Sequence, residues 1–151
     1  GRSGTNVFVG EYDRSVDGNG RLALPADFRD DLGAKCYLRC HPDGFVSITT
    51  IAQFETEAAQ LEARVTTGEA PSSALRAFGV SSSVAAIDKQ GRITLDEESR
   101  RHAGIATGGQ AVIAGAVNKL EVWRPSRYHT VRGEDTVVEP GRVWVDEEDD
   151  T

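Results

Sequence analysis

The sequence predicts an α+β fold, mainly β, in which two tandem repeats share one core. Three observations predict it. First, Asp17-Gly-Asn-Gly20-Arg21-Leu-Ala-Leu24 is matched by Asp88-Lys-Gln-Gly91-Arg92-Ile-Thr-Leu95, 71 residues further on. Self-similarity at a fixed spacing marks a duplicated supersecondary unit. Second, Leu22 and Leu24 alternate with Arg21 and Ala23, as Ile93 and Leu95 alternate with Arg92 and Thr94. A period of two is the mark of a half-buried strand. Third, one repeat of about 65 residues has too little core to fold securely alone. Two copies that pack together and exchange strands would close a common core.

Each repeat reads strand, glycine turn, strand, short helix, strand, turn, strand, helix. In the first, a strand over residues 7–16 leads into the turn, and a helix over 25–32 follows the second strand. Gly33 suits the end of that helix. Strands are predicted over 35–40 and 45–48, then a long helix over 51–65 with a Thr50…Gln53 capping pattern. Phe54, Ala58 and Leu61 line one face of this helix, positioned to pack on the strands or on a neighbouring protomer. The second repeat predicts strands over 80–87 and 92–95, a helix over 96–103 stopped by Gly104, strands over 111–116 and 120–123, and a short helix over 126–131. The chain therefore divides into a cloning remnant or disordered leader (1–6), a first repeat (7–66), a linker with a short helix opened by Pro71 (67–79), a second repeat (80–133) and an acidic tail (134–151).

The formal charge of −7 argues against a nucleic-acid partner until it is resolved by position. Residues 134–151 hold eight acids against Arg142, so the tail alone accounts for −7 and the rest of the chain is neutral. The tip Asp146-Glu-Glu-Asp-Asp-Thr151 has nothing apolar to bury and is expected to be disordered. Val137-Val138 and Val143-Trp144-Val145 are candidates for a short strand. Such a tail is either a solubilising end or a decoy that competes with an anionic ligand for basic sites.

Several classes are excluded. The longest apolar stretch, residues 111–117, is far short of the roughly 20 residues of a membrane span. Cys36 and Cys40 on one strand would lie about 13 Å apart, too far for a disulfide. Without a second ligand pair they are read as buried structural thiols, in a cytoplasmic protein that needs no metal or cofactor. His41, His102 and His129 are scattered, and no nucleophile elbow or phosphate-binding loop is present. The pairs Asp30-Asp31 and Glu97-Glu98 read as solvated helix faces. The chain is therefore not expected to be an enzyme or to take a small-molecule substrate.

The repeated turn carries the functional signal. Gly20 and Gly91 permit the positive φ of a chain reversal. Asp17 and Asp88 can accept backbone N–H bonds across the turn or pair with Arg21 and Arg92. Each arginine starts a strand on the side away from the leucines, where its planar fork suits phosphate or guanine edges. A plain hairpin held by an Asp–Arg pair is the simpler explanation of one such turn. A hairpin does not need the arginine at the same offset twice.

The segments Phe8-Val-Gly10-Glu-Tyr12 and Asp17-Gly-Asn-Gly-Arg21-Leu-Ala-Leu-Pro25 resemble the opening of MraZ proteins, bacterial transcriptional regulators associated with the cell-division and cell-wall operon. Asp88-Lys-Gln-Gly-Arg92-Ile, Arg101-His-Ala-Gly-Ile105 and Val117-Asn-Lys-Leu-Glu-Val-Trp123 resemble the second half of the family pattern. The resemblance spans residues 7–128. It implies two swapped-hairpin β-barrel halves of the AbrB type with peripheral helices. It also implies ring-shaped homo-oligomers, associated with the nucleoid, that bind double-stranded DNA at direct repeats in promoters. Carried onto this chain, Arg21 and Arg92 become the DNA contacts, Asp17 and Asp88 hold the loops, and Gly20 and Gly91 allow the turns. Asn19, Gln90, Lys89 and Arg14 complete the candidate interface. Asn19 and Gln90 stand where the family usually has lysine, which predicts a salt slope lower by about 0.9 for each lost phosphate contact. Both amides still suit adenine edges. Two functions follow: a sequence-specific DNA-binding regulator, or an interaction scaffold with weakened DNA binding whose acidic tail engages a protein partner.

Overall fold

The structure, a computed structural model, describes residues 7–138. The leader 1–6, the tail's acidic tip and its Val143-Trp144-Val145 strand candidate lie outside the described residues. Among the described residues the fold is mixed α and β, with five helices and strands that all pair antiparallel. The first half contributes β1 (Glu11–Ser15), β2 (Arg21–Ala23), α1 (Ala26–Leu32), β3 (Lys35–Cys40), β4 (Val46–Thr49) and α2 (Ile51–Thr66). After α3 (Ser73–Val80), the second half contributes β5 (Ser82–Ala86), β6 (Arg92–Thr94), α4 (Glu97–Ala103), β7 (Gln110–Gly115), β8 (Leu120–Trp123) and α5 (Pro125–Val138).

Local chemistry sets most of these boundaries. Thr50 caps α2 by accepting the Gln53 amide at 3.0 Å. The Gln53 side chain turns instead to Glu57, so the reciprocal arm of the capping box is unused. Asp96 caps α4 through the Ser99 amide at 2.7 Å, and Gly104 ends that helix with φ +75. The first strand is shorter than the predicted 7–16. Gly10 takes φ +89 and breaks it, leaving Phe8 in an isolated bridge to Val117, and past the other end of the strand Val16 bridges to Leu22. The last helix is longer than the predicted 126–131 and includes Val137 and Val138, which were strand candidates. Tyr128 and Val131 dock this helix on Phe45, Val112, Ala114 and Trp123, and packing of that kind carries it past Gly133.

The two halves interlock. The six-stranded sheet runs β1-β7-β8-β4-β3-β5, an order that is unchanged when the halves are exchanged. The first strand of each half lies against the other half: β1 pairs with β7, and β5 pairs with β3. β2 and β6 form a separate two-stranded ribbon, with Leu22 opposite Ile93. One core cluster draws on both halves, from Phe8, Leu22, Leu24, Leu38 and Ile48 to Ile93, Leu95, Ile113, Leu120 and Val122. Cys36 belongs to it, and burial pushes its thiol up to about 12. Cys40 departs from expectation: it is half-buried at the end of β3, and both cysteines are free. His102 is structural, as its Nε2 lies 2.6 Å from the His41 carbonyl oxygen. The long helix α2 packs within the chain, with Phe54 stacked on Tyr37 at 3.8 Å and on Phe78 at 5.1 Å.

A shared core should unfold as one unit. Ile93→Ala removes a fully buried side chain and should cost about 2–5 kcal/mol, read as a lower midpoint of a single denaturant transition. Two separable transitions, one for each half, would contradict the interlocked core.

Candidate nucleic-acid interface

The ribbon presents the two repeated turns together. Asp17 Oδ1 accepts the amides of Asn19 at 2.8 Å and Arg21 at 2.9 Å. Asp88 Oδ1 accepts those of Gln90 and Arg92, each at 2.9 Å. The backbone closes each turn from Gly20 to Asp17 and from Gly91 to Asp88. Gly20 takes φ +81 and Gly91 φ +78, which a residue with a Cβ adopts only under strain. Each turn is also tied to the other half. The Leu24 amide donates to the Gly91 carbonyl at 2.9 Å, and the Leu95 amide donates to the Gly20 carbonyl at 2.8 Å.

Register places both arginines on one face. Arg21 is opposite Thr94, and Ala23 is opposite Arg92. Directly opposed residues of an antiparallel pair share a face, so Arg21, Ala23, Thr94 and Arg92 point together, away from buried Leu22 and Ile93. Strand geometry separates the Arg21 and Arg92 Cα atoms by roughly 8 Å, diagonally across the ribbon. Ala23 and Thr94 between them are exposed, so the face is open.

The two turns differ in how their arginines are held. Arg92 Nε donates to Asp88 Oδ2 at 3.0 Å, and Arg92 Nη1 lies 3.8 Å from Asp17 Oδ2. The Arg21 guanidinium has no ion pair or side-chain hydrogen bond among the described residues. Both aspartates are held below the usual carboxylate range, chiefly by the amide of the following arginine. The Asn19 and Gln90 amides act in the same direction, as do the arginine charges.

Of the other sequence candidates, Asn19, Lys89 and Gln90 are exposed on the turns. Arg14 lies on β1, in the six-stranded sheet opposite Ala111, where its Nη1 donates to the Asp13 carbonyl and its guanidinium lies 5.6 Å from the Tyr12 ring centre. Two cations missing from the candidate set belong beside the turns. Arg29 of α1 crosses to the second turn, donating from Nη1 to the Gln90 carbonyl at 3.2 Å and filling the space where a Gly91 side chain would go. Arg100 of α4 lies against Gly20 of the first turn, while its Nε donates to the Leu95 carbonyl of its own half at 3.0 Å. The 71-residue offset carries Arg29 onto Arg100, and that repeat was the available signal. The arrangement can offer hydrogen-bond forks and positive charge to a polyanion. It assembles no nucleophile and base.

Similarity to known proteins places the chain in a family. A family model described as "MraZ protein, putative antitoxin-like" matches residues 82–137. The transcriptional regulator MraZ of Mycolicibacterium vanbaalenii is 35% identical over 118 residues, covering 78% of this chain and 81% of the relative. The chain belongs to the MraZ family. Two further MraZ transcriptional regulators extend the match. That of Saccharopolyspora erythraea is 32% identical over 82% of this chain and 85% of its own. That of Acetivibrio thermocellus is 29% identical over 87% of this chain and 90% of its own. MraZ similarity thus runs through both halves, while the family model covers β5 to α5. No helix among the described residues is long and apolar enough to cross a membrane.

The depressed aspartates give a pH dependence with a definite sign. Folding stability drawn from the turns is complete above the ordinary value of 3.8 and is lost as pH falls through the lower folded-state values. Carboxyl NMR titration should place both groups below 3.8. The double variant Asp17→Asn, Asp88→Asn should flatten the acid limb of the stability–pH curve, and an unchanged limb would count against this anchoring role.

Proposed function

We propose that the chain is a sequence-specific, DNA-binding transcriptional regulator that reads repeated promoter boxes through its two Asp-x-x-x-Arg turns. The observation that carries this reading is the placement of Arg21 and Arg92 on one open face of a two-stranded ribbon. Such a ribbon fits the major groove of B-DNA, and arginine forks suit guanine edges. Asp17, Asp88, Gly20 and Gly91 hold the turns; Asn19, Gln90 and Lys89 are their exposed polar edge. The exchange of β1 and β5 between halves supports a pair of tandem swapped hairpins, 7–66 and 80–133, around linker 67–79. Few arginines per protomer imply that useful affinity comes from a homo-oligomer, ring-shaped in this proposal, engaging several boxes together. The site of action is the cytoplasm, on the nucleoid, with the acidic tail 134–151 tuning occupancy.

A second reading is favoured by one specific contact. Arg92 is already paired with Asp88 and near Asp17. A protein whose turns neutralise their own cations would serve as an interaction scaffold with weak DNA binding.

A salt-dependent shift assay on the DNA upstream of the gene separates the two. Arg21→Ala should weaken binding by about 1–3 kcal/mol, roughly 5- to 150-fold. Arg92→Ala should cost less, because in the wild type Asp88 must first release its guanidinium. Absence of binding by the wild-type protein at low salt would remove the regulator reading in favour of the scaffold.

A further inference from the structure

A cavity of about 620 Å³ lies between the α2–α3 hairpin and the strands β3 and β4. Its walls include Arg39 and Ser47 from the strands, Leu61 and Arg64 from α2, Ala77 and Phe78 from α3, and Lys119 from the turn between β7 and β8. None of the lining residues belongs to the β2–β6 ribbon, so this is a different place from the candidate DNA face. Its volume falls in the range of small-molecule sites, about 300–1,000 Å³.

The lining carries an unbalanced charge. Arg39, Arg64 and Lys119 face a single acid, Glu57, whose carboxylate already accepts the Gln53 side-chain amide at 3.0 Å. Arg64 lies 3.8 Å from Glu69 in an exposed pair, which water screens. His41, also in the lining, is pushed down first by burial and then by the Arg39 charge, with Lys119 adding to the effect and Asp43 opposing it.

Arg39 supplies the sharper observation. Its guanidinium carbon lies 5.0 Å from the Phe78 ring centre. Its Nε is buried and has no hydrogen-bond partner among the described residues. Buried polar groups are nearly always paired, and an orphan guanidinium N–H calls for an acceptor. Beside it, Leu61, Ala77 and Phe78 supply apolar wall.

We propose that this cavity binds a small organic anion, with its acid group held by Arg39 and Lys119 and its apolar part against Leu61, Ala77 and Phe78. Arg64 adds charge at the mouth. The ligand would clamp the α2–α3 hairpin to the strands, since its two ends meet different elements.

The test is calorimetric titration of the full chain at low salt with phenyl phosphate, alongside inorganic phosphate and neutral benzamide. Saturable one-to-one binding of phenyl phosphate is expected, with weaker binding of inorganic phosphate and none of benzamide. Arg39→Gln and Lys119→Gln should each weaken phenyl phosphate about tenfold, the loss of one charge-assisted contact. Amide NMR shifts should move at Leu61, Ala77 and Phe78. Should Arg39→Gln fail to fold, Lys119→Gln and Arg64→Gln carry the comparison. No saturable heat up to about 10 mM would overturn the proposal, because binding weaker than millimolar has no use for a built site. Equal affinity in the cavity variants, or loss of binding in Arg21→Ala with Arg92→Ala, would also overturn it. The last result would place the anion on the DNA face instead.

Discussion

Two reciprocal hydrogen bonds organise this molecule. The carbonyl of each turn glycine, Gly20 and Gly91, is capped by an amide from the opposite half, Leu95 and Leu24. Backbone groups next to a buried strand must be paired, and here neither half can satisfy its own. The same crossing seats Leu22 against Ile93 and carries both side chains into one core. The conformations of the turns, the closure of the core and the union of the halves are therefore one constraint.

That constraint also decides what the outer face can present. Inward residues of the ribbon are fixed by the core, so the alternating positions must face out, and these are Arg21, Ala23, Arg92 and Thr94. The aspartates are engaged mainly with backbone amides. This arrangement rigidifies the turn without requiring the arginine side chain, which leaves Arg21 available while Arg92 has drawn a second carboxylate oxygen. Arg29 and Arg100 reinforce the design from helices α1 and α4, Arg29 donating to the Gln90 carbonyl and Arg100 lying against Gly20. Positive charge is thereby gathered locally in a body whose net charge is zero.

Much of this was legible in the sequence because it rests on short-range rules. The alternation at Leu22 and Leu24, the cap at Thr50 and the stop at Gly104 each depend on a few neighbouring residues. The helices α1 and α4 stand at the same 71-residue offset as the turns. Beyond them the register shifts, with Lys35 corresponding to Gln110, because the second half inserts a longer loop before β7. What sequence did not disclose is tertiary. The break at Gly10 follows from the close approach of residues 8 and 9 to Gly115. The length of α5 follows from the surface that Tyr128 finds. The crossing of Arg29 to Gln90 needs the interlocked halves before it has any meaning.

The unequal holding of Arg21 and Arg92 has a geometric consequence. Two identical turns related by a twofold axis would look the same from either end, and such an object matches a palindrome. Here one fork is tethered and the other is loose, so the ribbon has a head and a tail. Because the two turns lie in one polypeptide and differ in sequence, that polarity is a fixed property of the chain. On the proposed reading of the ribbon as a DNA-binding face, a surface with a built-in direction suits sites laid out in tandem, all pointing the same way along the double helix.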